Sequence, residues 1–321
     1  MKQDKTFFTQ LITIIFTIIF MGALSAKADI KVVTTIKPLH SLISNVMDGI
    51  GEPSLIIEGS TSPHSFVLKP SHARLIEQAD IIFWIGEDIE TFMEKPLESI
   101  AKNAKKVSFM ELSSIEKLKF REENIFEHED HDDHGHGEKK DHDDHGDGHE
   151  GHHHGEFDAH IWLDPANAKE MLHEIAHELA DLDPANADKY ESNADNTIKS
   201  IDDMISNVNS SINKDAKFIV FHDAYQYFEK RFGVATAGAL TLNTDVLPGA
   251  KQISEIQEVI AERDIKCIFS EPQFNPKIIE TIAQDTGIKT GVLDPLGSIF
   301  DAGKSQYFTL INDLGDKLKD C

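Results

Sequence analysis

The chain has 321 residues, and its 56 acidic residues outnumber its 31 basic residues to give a formal net charge of −25 at pH 7. A surface this negative repels nucleic acid and attracts cations, so the composition argues against a nucleic-acid partner. The length exceeds what one hydrophobic core usually holds, which predicts two domains.

Residues 1–28 have the pattern of a signal peptide. Two lysines precede an almost wholly apolar stretch at 7–24, and Ala26 and Ala28 have the small-residue arrangement that signal peptidase accepts. We therefore expect the mature chain to begin near Asp29 and to reside in the periplasm of a Gram-negative cell. No cysteine follows the cleavage point, so lipid attachment is not expected there. The alternative is an uncleaved membrane anchor, because the apolar stretch approaches the length of a short membrane span.

Short apolar or β-branched runs alternate with helical patterns along most of the remaining chain. The runs predict strands at 30–35, 54–58, 80–86, 105–109, 217–221, 267–269 and 290–293. Apolar residues spaced three and four apart predict helices at 39–46, 71–79, 165–182, 184–212, 224–232, 253–263 and 276–286. Strands that alternate with helices are typical of parallel sheets with right-handed crossovers, so the predicted fold class is α/β.

One long helix, which opens at Pro184 and ends near residue 212, is predicted between the two halves of the chain. About 28 residues of helix span roughly 42 Å, which is long enough to run the length of two lobes. The predicted architecture is two α/β lobes joined by this one rigid helix. The N-terminal lobe covers 29–183, the linking helix covers 184–213 and the C-terminal lobe covers 214–321.

Segment 127–156, called here the His/Asp-rich insert, interrupts the alternating pattern. It contains ten histidines, twelve acidic residues and only two lysines, for a net charge of −10. The histidines are His128, His131, His134, His136, His142, His145, His149, His152, His153 and His154. Because no apolar residue in the insert can start a core, we predict a disordered loop within the N-terminal lobe.

The chain contains two cysteines, Cys267 and Cys321. In an oxidising compartment such a pair more often forms a disulfide than a metal site, so we predict a bond between them. Closing a loop of this length would stabilise the fold by roughly 4 kcal/mol on the chain-entropy model. The bond would also hold the C-terminus against the rest of the chain.

Four residues of metal-ligating type outside the insert lie where a ligand of an α/β protein is expected. His64, His222 and Asp294 follow predicted strands, and His160 precedes the predicted helix at 165–182. In open α/β sheets, ligands bind beyond the carboxyl ends of the strands. Three imidazoles and at most one carboxylate suit tetrahedral Zn²⁺, whereas Mn²⁺ prefers more oxygen ligands.

Simpler roles exist for these residues and for the acidic residues near them. A single histidine at a strand end is usually only a polar loop residue, and Asp294, which precedes a proline, has the alternative of capping a turn. We interpret Asp158, Asp164 and Asp223 as carboxylates that orient the imidazoles or cap helices.

A second metal motif lies on the predicted helix at 165–182. His173, Glu174 and His177 have the spacing of a zinc-protease motif, in which two histidines bind the metal and the glutamate is the general base. The same residues lie in an ordinary amphipathic helix, where chance matches are common. A secreted zinc hydrolase is therefore kept as an alternative function.

Taken together, the motifs resemble those of the periplasmic metal-binding proteins of zinc and manganese ABC importers, most closely the zinc-uptake branch. The resemblance extends over the whole mature chain. The matching segments are Ser62-Pro63-His64, Asp158-Ala159-His160-Ile161-Trp162-Leu163-Asp164-Pro165, Phe221-His222-Asp223-Ala224-Tyr225-Gln226-Tyr227-Phe228 and Leu293-Asp294-Pro295-Leu296-Gly297. The His/Asp-rich insert and the cysteine pair also resemble that branch.

The resemblance implies a Zn²⁺ ion in the cleft between the two lobes, bound as transported cargo and not as a catalytic cofactor. It implies His64, His160 and His222 as ligands, with either Asp294 or water in the fourth position. Manganese-type relatives have a glutamate in place of His222, so the histidine favours zinc over a manganese-binding importer component. The implied partner of this monomeric, non-enzymatic protein is an inner-membrane ABC permease. A surface adhesin or a zinc buffer, with the insert as the functional part, is a further alternative.

Overall fold

A parallel four-stranded sheet lies in each half of the chain. The computed structural model describes residues 30–126, 155–242, 244, 248–319 and 321. The predicted signal peptide and nearly all of the His/Asp-rich insert therefore lie outside the described residues. The prediction of disorder for the insert concerns the same undescribed residues. Within the described ranges, no helix is both long and apolar enough to cross a membrane.

The first sheet has the strand order β2-β1-β3-β4, and all its neighbouring strands are parallel. The strands are β1 (Val32–Thr34), β2 (Ser54–Leu55), β3 (Ile81–Trp84) and β4 (Lys105–Ser108). Helices α1 (Lys37–Val46), α2 (Pro70–Gln78) and α3 (Glu94–Ser99) connect them. Strand β3 is buried along its whole length, as its continuous apolar run predicts.

Two long helices follow the first sheet. They are α4 (Pro165–Leu182) and α5 (Ala187–Ser211), joined by a 3₁₀ turn at Pro184–Asn186. The 25 residues of α5 span about 38 Å, slightly less than predicted because the first turn is 3₁₀. The two helices pack against each other, and α5 also packs against α1.

The second sheet has the strand order β6-β5-β7-β8 and is also parallel throughout. Its strands are β5 (Phe218–His222), β6 (Ala239–Thr241), β7 (Cys267–Ser270) and β8 (Lys289–Val292). Helices α6 (Gln226–Phe232), α7 (Ala250–Glu262) and α8 (Lys277–Thr286) accompany them. The core of this half is formed by the side chains of Ile219, Phe221, Leu240, Ile256, Ile268 and Ile282, among others.

The last helix, α9 (Gln306–Leu318), packs against α1 and α5 of the preceding half. The loop before it is tied to α1 by side-chain hydrogen bonds, because Lys37 Nζ donates to Ser298 O at 2.6 Å and Ser41 Oγ donates to Lys304 O at 3.0 Å. The C-terminal segment therefore packs against helix α1 of the first half of the chain and against the long helix α5.

The predicted α/β class is confirmed, but three elements were missing from the prediction. They are α3, β6 and α9. The signal for α9 was present, since Tyr307, Leu310, Ile311 and Leu314 are buried at three- and four-residue spacing. Strand β6 has only three residues, too few for a periodic pattern to distinguish it from a loop.

The predicted disulfide is present. Cys267, at the start of β7, is bonded to Cys321, with a Cα–Cα distance of 5.6 Å. The bond fixes the C-terminus to the second sheet, next to Lys217, whose N–H donates to Cys321 O.

Candidate metal centre

Three histidines, called here the cleft histidines, converge from three separate segments of the chain: His64, His160 and His222. One ligand nitrogen from each lies within 4.8 Å of those of the other two, and no other three metal-ligating side chains within the described ranges come as close together. The Nε2 atoms of His160 and His222 are 3.3 Å apart. The His64 ring centroid is 5.5 Å from that of His160 and 5.8 Å from that of His222.

Local structure explains how each ring reaches this point. His222 is the last residue of β5, so its side chain lies at the carboxyl end of the sheet. His64 lies in the 3₁₀ turn Pro63–Ser65, whose first N–H groups need an acceptor, and Ser62 Oγ accepts from His64 N at 3.3 Å. His160 directly precedes the 3₁₀ turn Ile161–Leu163.

A buried carboxylate lies behind two of the three imidazoles. His160 Nδ1 is 2.6 Å from Asp158 Oδ1, and His222 Nδ1 is 2.7 Å from Glu271. An ionised carboxylate only accepts hydrogen bonds, so in the neutral form of each ring Nδ1 carries the proton and Nε2 keeps its lone pair. Both Nε2 atoms therefore present a lone pair to the space between the rings, as metal ligation requires.

Charge and burial compete at His222. Burial lowers the pKa of His222, but the negative charge and hydrogen bond of Glu271, aided by Asp223 and Asp158, outweigh it and raise the pKa above the ordinary value. A bound cation would replace the proton as the positive charge that this acidic surrounding favours.

Glu271 was missed in the sequence analysis. It directly follows β7, so the rule that identified His222 applied to it as well. The residue accepts hydrogen bonds from both the backbone N–H and the ring of His222.

The three acidic residues that were expected to orient imidazoles or cap helices have different roles. Asp158 orients His160 as predicted. Asp164 caps α4 by accepting from Ala166 N at 2.8 Å, and it also pairs with Arg231. The carboxylate of Asp223 pairs with Arg121 at 2.7 Å, and its negative charge also helps to raise the pKa of His222.

Asp294 follows β8 but lies outside the group formed by the cleft histidines. Its carboxylate accepts hydrogen bonds from Gln273 Nε2 at 2.7 Å, Leu296 N at 3.1 Å, Ser298 N at 2.5 Å and Ser298 Oγ at 2.7 Å. These bonds are those of a residue that caps a turn, the alternative weighed for it from the sequence.

The cleft histidines line a small cavity with walls from both halves of the chain. Its volume is about 10 Å³, which is room for about one water-sized particle. The other lining residues are Ser62, Pro63, Ile89, Trp162, Glu271, Gln273, Phe274, Pro295 and Leu296. The geometry therefore fits a single small ion held between the three rings.

The zinc-protease motif lies elsewhere, on the outer side of α4. His173 and His177 are exposed and Glu174 is half-buried. Burial raises the pKa of Glu174, and the neighbouring Glu178 adds to the effect. In the part of the chain that the structure describes, no third ligand joins these two histidines to make a protease-type site.

Comparison with known proteins gives a consistent result. A family model described as "Zinc-uptake complex component A periplasmic" matches residues 32–321. The chain is 45% identical over 315 residues to the "High-affinity zinc uptake system protein ZnuA" of Brucella abortus (strain 2308), covering 94% of each. It is 33% identical over 316 residues to the protein of the same name from Yersinia pestis, covering 92% of each. A structure described as "Crystal structure of ZnuA" shares the fold with a TM-score of 0.72 and 20% identity, covering 91% of this chain and 98% of that one.

Proposed function

This chain belongs to the family of periplasmic zinc-uptake components, and on that premise we propose that it captures Zn²⁺ and delivers it to an ABC permease. The observation that carries the proposal is the convergence of His64, His160 and His222 on one small cavity. The names of the relatives favour zinc uptake over the hydrolase and manganese alternatives.

The ligand set of the proposed site is chemically selective. Three neutral imidazoles suit Zn²⁺, which binds nitrogen at about 2.0–2.1 Å in tetrahedral sites, whereas Mn²⁺ prefers oxygen. The carboxylates of Asp158 and Glu271 increase the basicity of two of these ligands without entering the coordination shell. We assign His64, His160 and His222 as the three protein ligands.

The fourth position is proposed for water or for Asp294. Recruiting Asp294 would require its carboxylate to give up some of the hydrogen bonds it accepts from Gln273, Leu296 and Ser298. A water molecule has no such cost, and it would also leave the ion easier to release. The role proposed is therefore reversible capture of an ion without a chemical reaction.

The proposed organisation follows from the same elements. The N-terminal lobe (29–183) and the C-terminal lobe (214–321) each contribute ligands, and the helix segment 184–213 joins them. Because α5 packs against α1, α4 and α9, we expect this helix to limit relative motion of the lobes to a small tilt. We further propose that the mature chain, cleaved near Asp29, works in the periplasm as a monomer.

Metal identity tests the proposal directly. The mature protein is exposed to an equimolar mixture of Zn²⁺ and Mn²⁺, passed over a desalting column and analysed for metal content. We expect zinc to be retained and manganese to be lost. Retention of manganese in preference to zinc would overturn the proposal.

A further inference from the structure

The exposed face of α4 carries two histidines that the cleft does not use. His173 and His177 lie one helical turn apart and are both exposed, and the side chain of His177 is 66% exposed. Neither residue lines the cleft cavity. The pair is therefore a separate feature of the molecular surface.

The packing of α4 holds the two histidines in a fixed relation. Leu172, Ile175 and Leu179 are buried on the opposite side of the helix, which packs against α5. Residues four apart on a helix have Cβ atoms about 5–6 Å from each other on the same face. The packed helix therefore sets the spacing of the two residues, and both imidazole rings lie on its exposed side.

The charges around the pair suit a cation. Asp181 lies one further turn along the helix, with its carboxylate 4.0 Å from His177 Nε2. Glu174 lies between the two histidines in sequence, and its negative charge acts on His177. Lys105 is a basic residue whose charge acts on Glu174, and it is paired with Glu178.

We propose that His173 and His177 form a second, surface metal site that binds a nitrogen-preferring divalent ion such as Zn²⁺ or Cu²⁺ through two imidazoles. Water completes the coordination shell, and Asp181 supplies a nearby negative charge. The site is weaker than the cleft, because it has two protein ligands instead of three and must order exposed side chains. It is not a hydrolase centre, since no third protein ligand is at hand among the described residues. The inference is independent of the zinc-uptake proposal.

The test uses the mature full-length protein with one equivalent of zinc to fill the cleft. The probe is the Cu²⁺ complex of iminodiacetate, whose remaining coordination positions accept a pair of imidazoles. Bound Cu²⁺ broadens nearby backbone amide resonances, so its position is read directly. We expect broadening centred on the amides between His173 and His177 at a modest excess of probe.

Single substitutions distinguish a two-imidazole site from independent binding at either ring. His173→Gln and His177→Gln should each lower the affinity of the probe for this helix by at least about tenfold, because the second imidazole acts at high effective concentration. His72→Gln, which changes a half-buried histidine of α2 with no histidine one turn away, should leave the broadening unchanged. Broadening confined to the His/Asp-rich insert, or broadening of α4 that survives His177→Gln, would overturn the proposal. Both histidines are exposed, so unchanged melting curves are expected and serve as the folding control.

Discussion

Replacing Glu271 by glutamine tests whether the carboxylate behind His222 determines the strength of the proposed metal site. In the wild type, the Glu271 carboxylate lies 2.7 Å from His222 Nδ1. The substitution keeps the size of the side chain and an oxygen that can accept from His222 Nδ1, but it removes the negative charge. Loss of such a carboxylate behind a metal-bound histidine typically lowers metal affinity about 10- to 100-fold, or about 1.4–2.7 kcal/mol. We expect a loss in this range for Glu271→Gln.

The same substitution has a predicted effect on pH dependence. Protons compete with zinc for His222, and Glu271 is the main group that raises its pKa against the effect of burial. As the solution is acidified, the zinc affinity of the wild type should therefore begin to fall while the pH is still above about 6.5. In Glu271→Gln the pKa of His222 is lower, so the fall should begin at a lower pH.

The assay is competition for zinc with a chelator of known affinity across a pH series. Glu90→Gln is the matched control, because Glu90 is also a buried carboxyl but accepts its hydrogen bonds from Ile85 N and Gly86 N and not from an imidazole. Melting of the metal-free proteins checks that both variants fold. Zinc affinity equal to the wild type in Glu271→Gln, or an equal loss in both variants, would refute the reasoning.

Three further predictions concern the insert, a buried carboxyl and the disulfide. Deleting 127–156 should remove weak zinc sites from a calorimetric titration and leave one tight site, because a flexible segment must lose entropy to bind an ion; loss of the tight site would contradict this. Burial raises the pKa of Glu90 from 4.5 to about 7, so the folded state binds more protons in that interval and stability falls as pH rises through it. In denaturant unfolding, the wild type should lose about 3 kcal/mol of unfolding free energy across this interval, and Glu90→Gln should abolish that loss. A variant with the same pH profile as the wild type would contradict this prediction. Cys321→Ser should lower the free energy of unfolding by about 4 kcal/mol in denaturant unfolding, because the disulfide closes a loop with a sequence separation of 54. Wild-type stability in the variant would show that the disulfide does not stabilise the fold.

Much of the fold was predictable because each element carries a local signal. Buried parallel strands have continuous apolar runs, and amphipathic helices have apolar residues three and four apart. Helix α4 begins and ends at the predicted residues, since Asp164 caps its first turn and Pro165 fits its first position. The rule for strand ends then indicated His222 without knowledge of the sheet order.

The contacts behind the ligands were less predictable, because they depend on which strands become neighbours. Strand β7 pairs with β5 in the register Phe218↔Cys267, which brings the residues four further along, His222 and Glu271, side by side. Nothing local in the sequence specifies that β5 lies between β6 and β7. For the same reason, the pairing of Asp223 with Arg121, 102 residues away, could not be anticipated.

The zinc affinity of variants at the three cleft histidines tests the central claim most directly. His64→Ala, His160→Ala and His222→Ala are each measured by chelator competition in a chain that lacks 127–156, so that weak sites do not obscure the result. Each should lose more affinity than Glu271→Gln, about 100-fold or more, because a ligand and not its support is removed. His173→Ala, on the exposed face of α4, should leave the tight site unchanged. Near-wild-type affinity in any one of the three cleft variants would contradict the proposed zinc site.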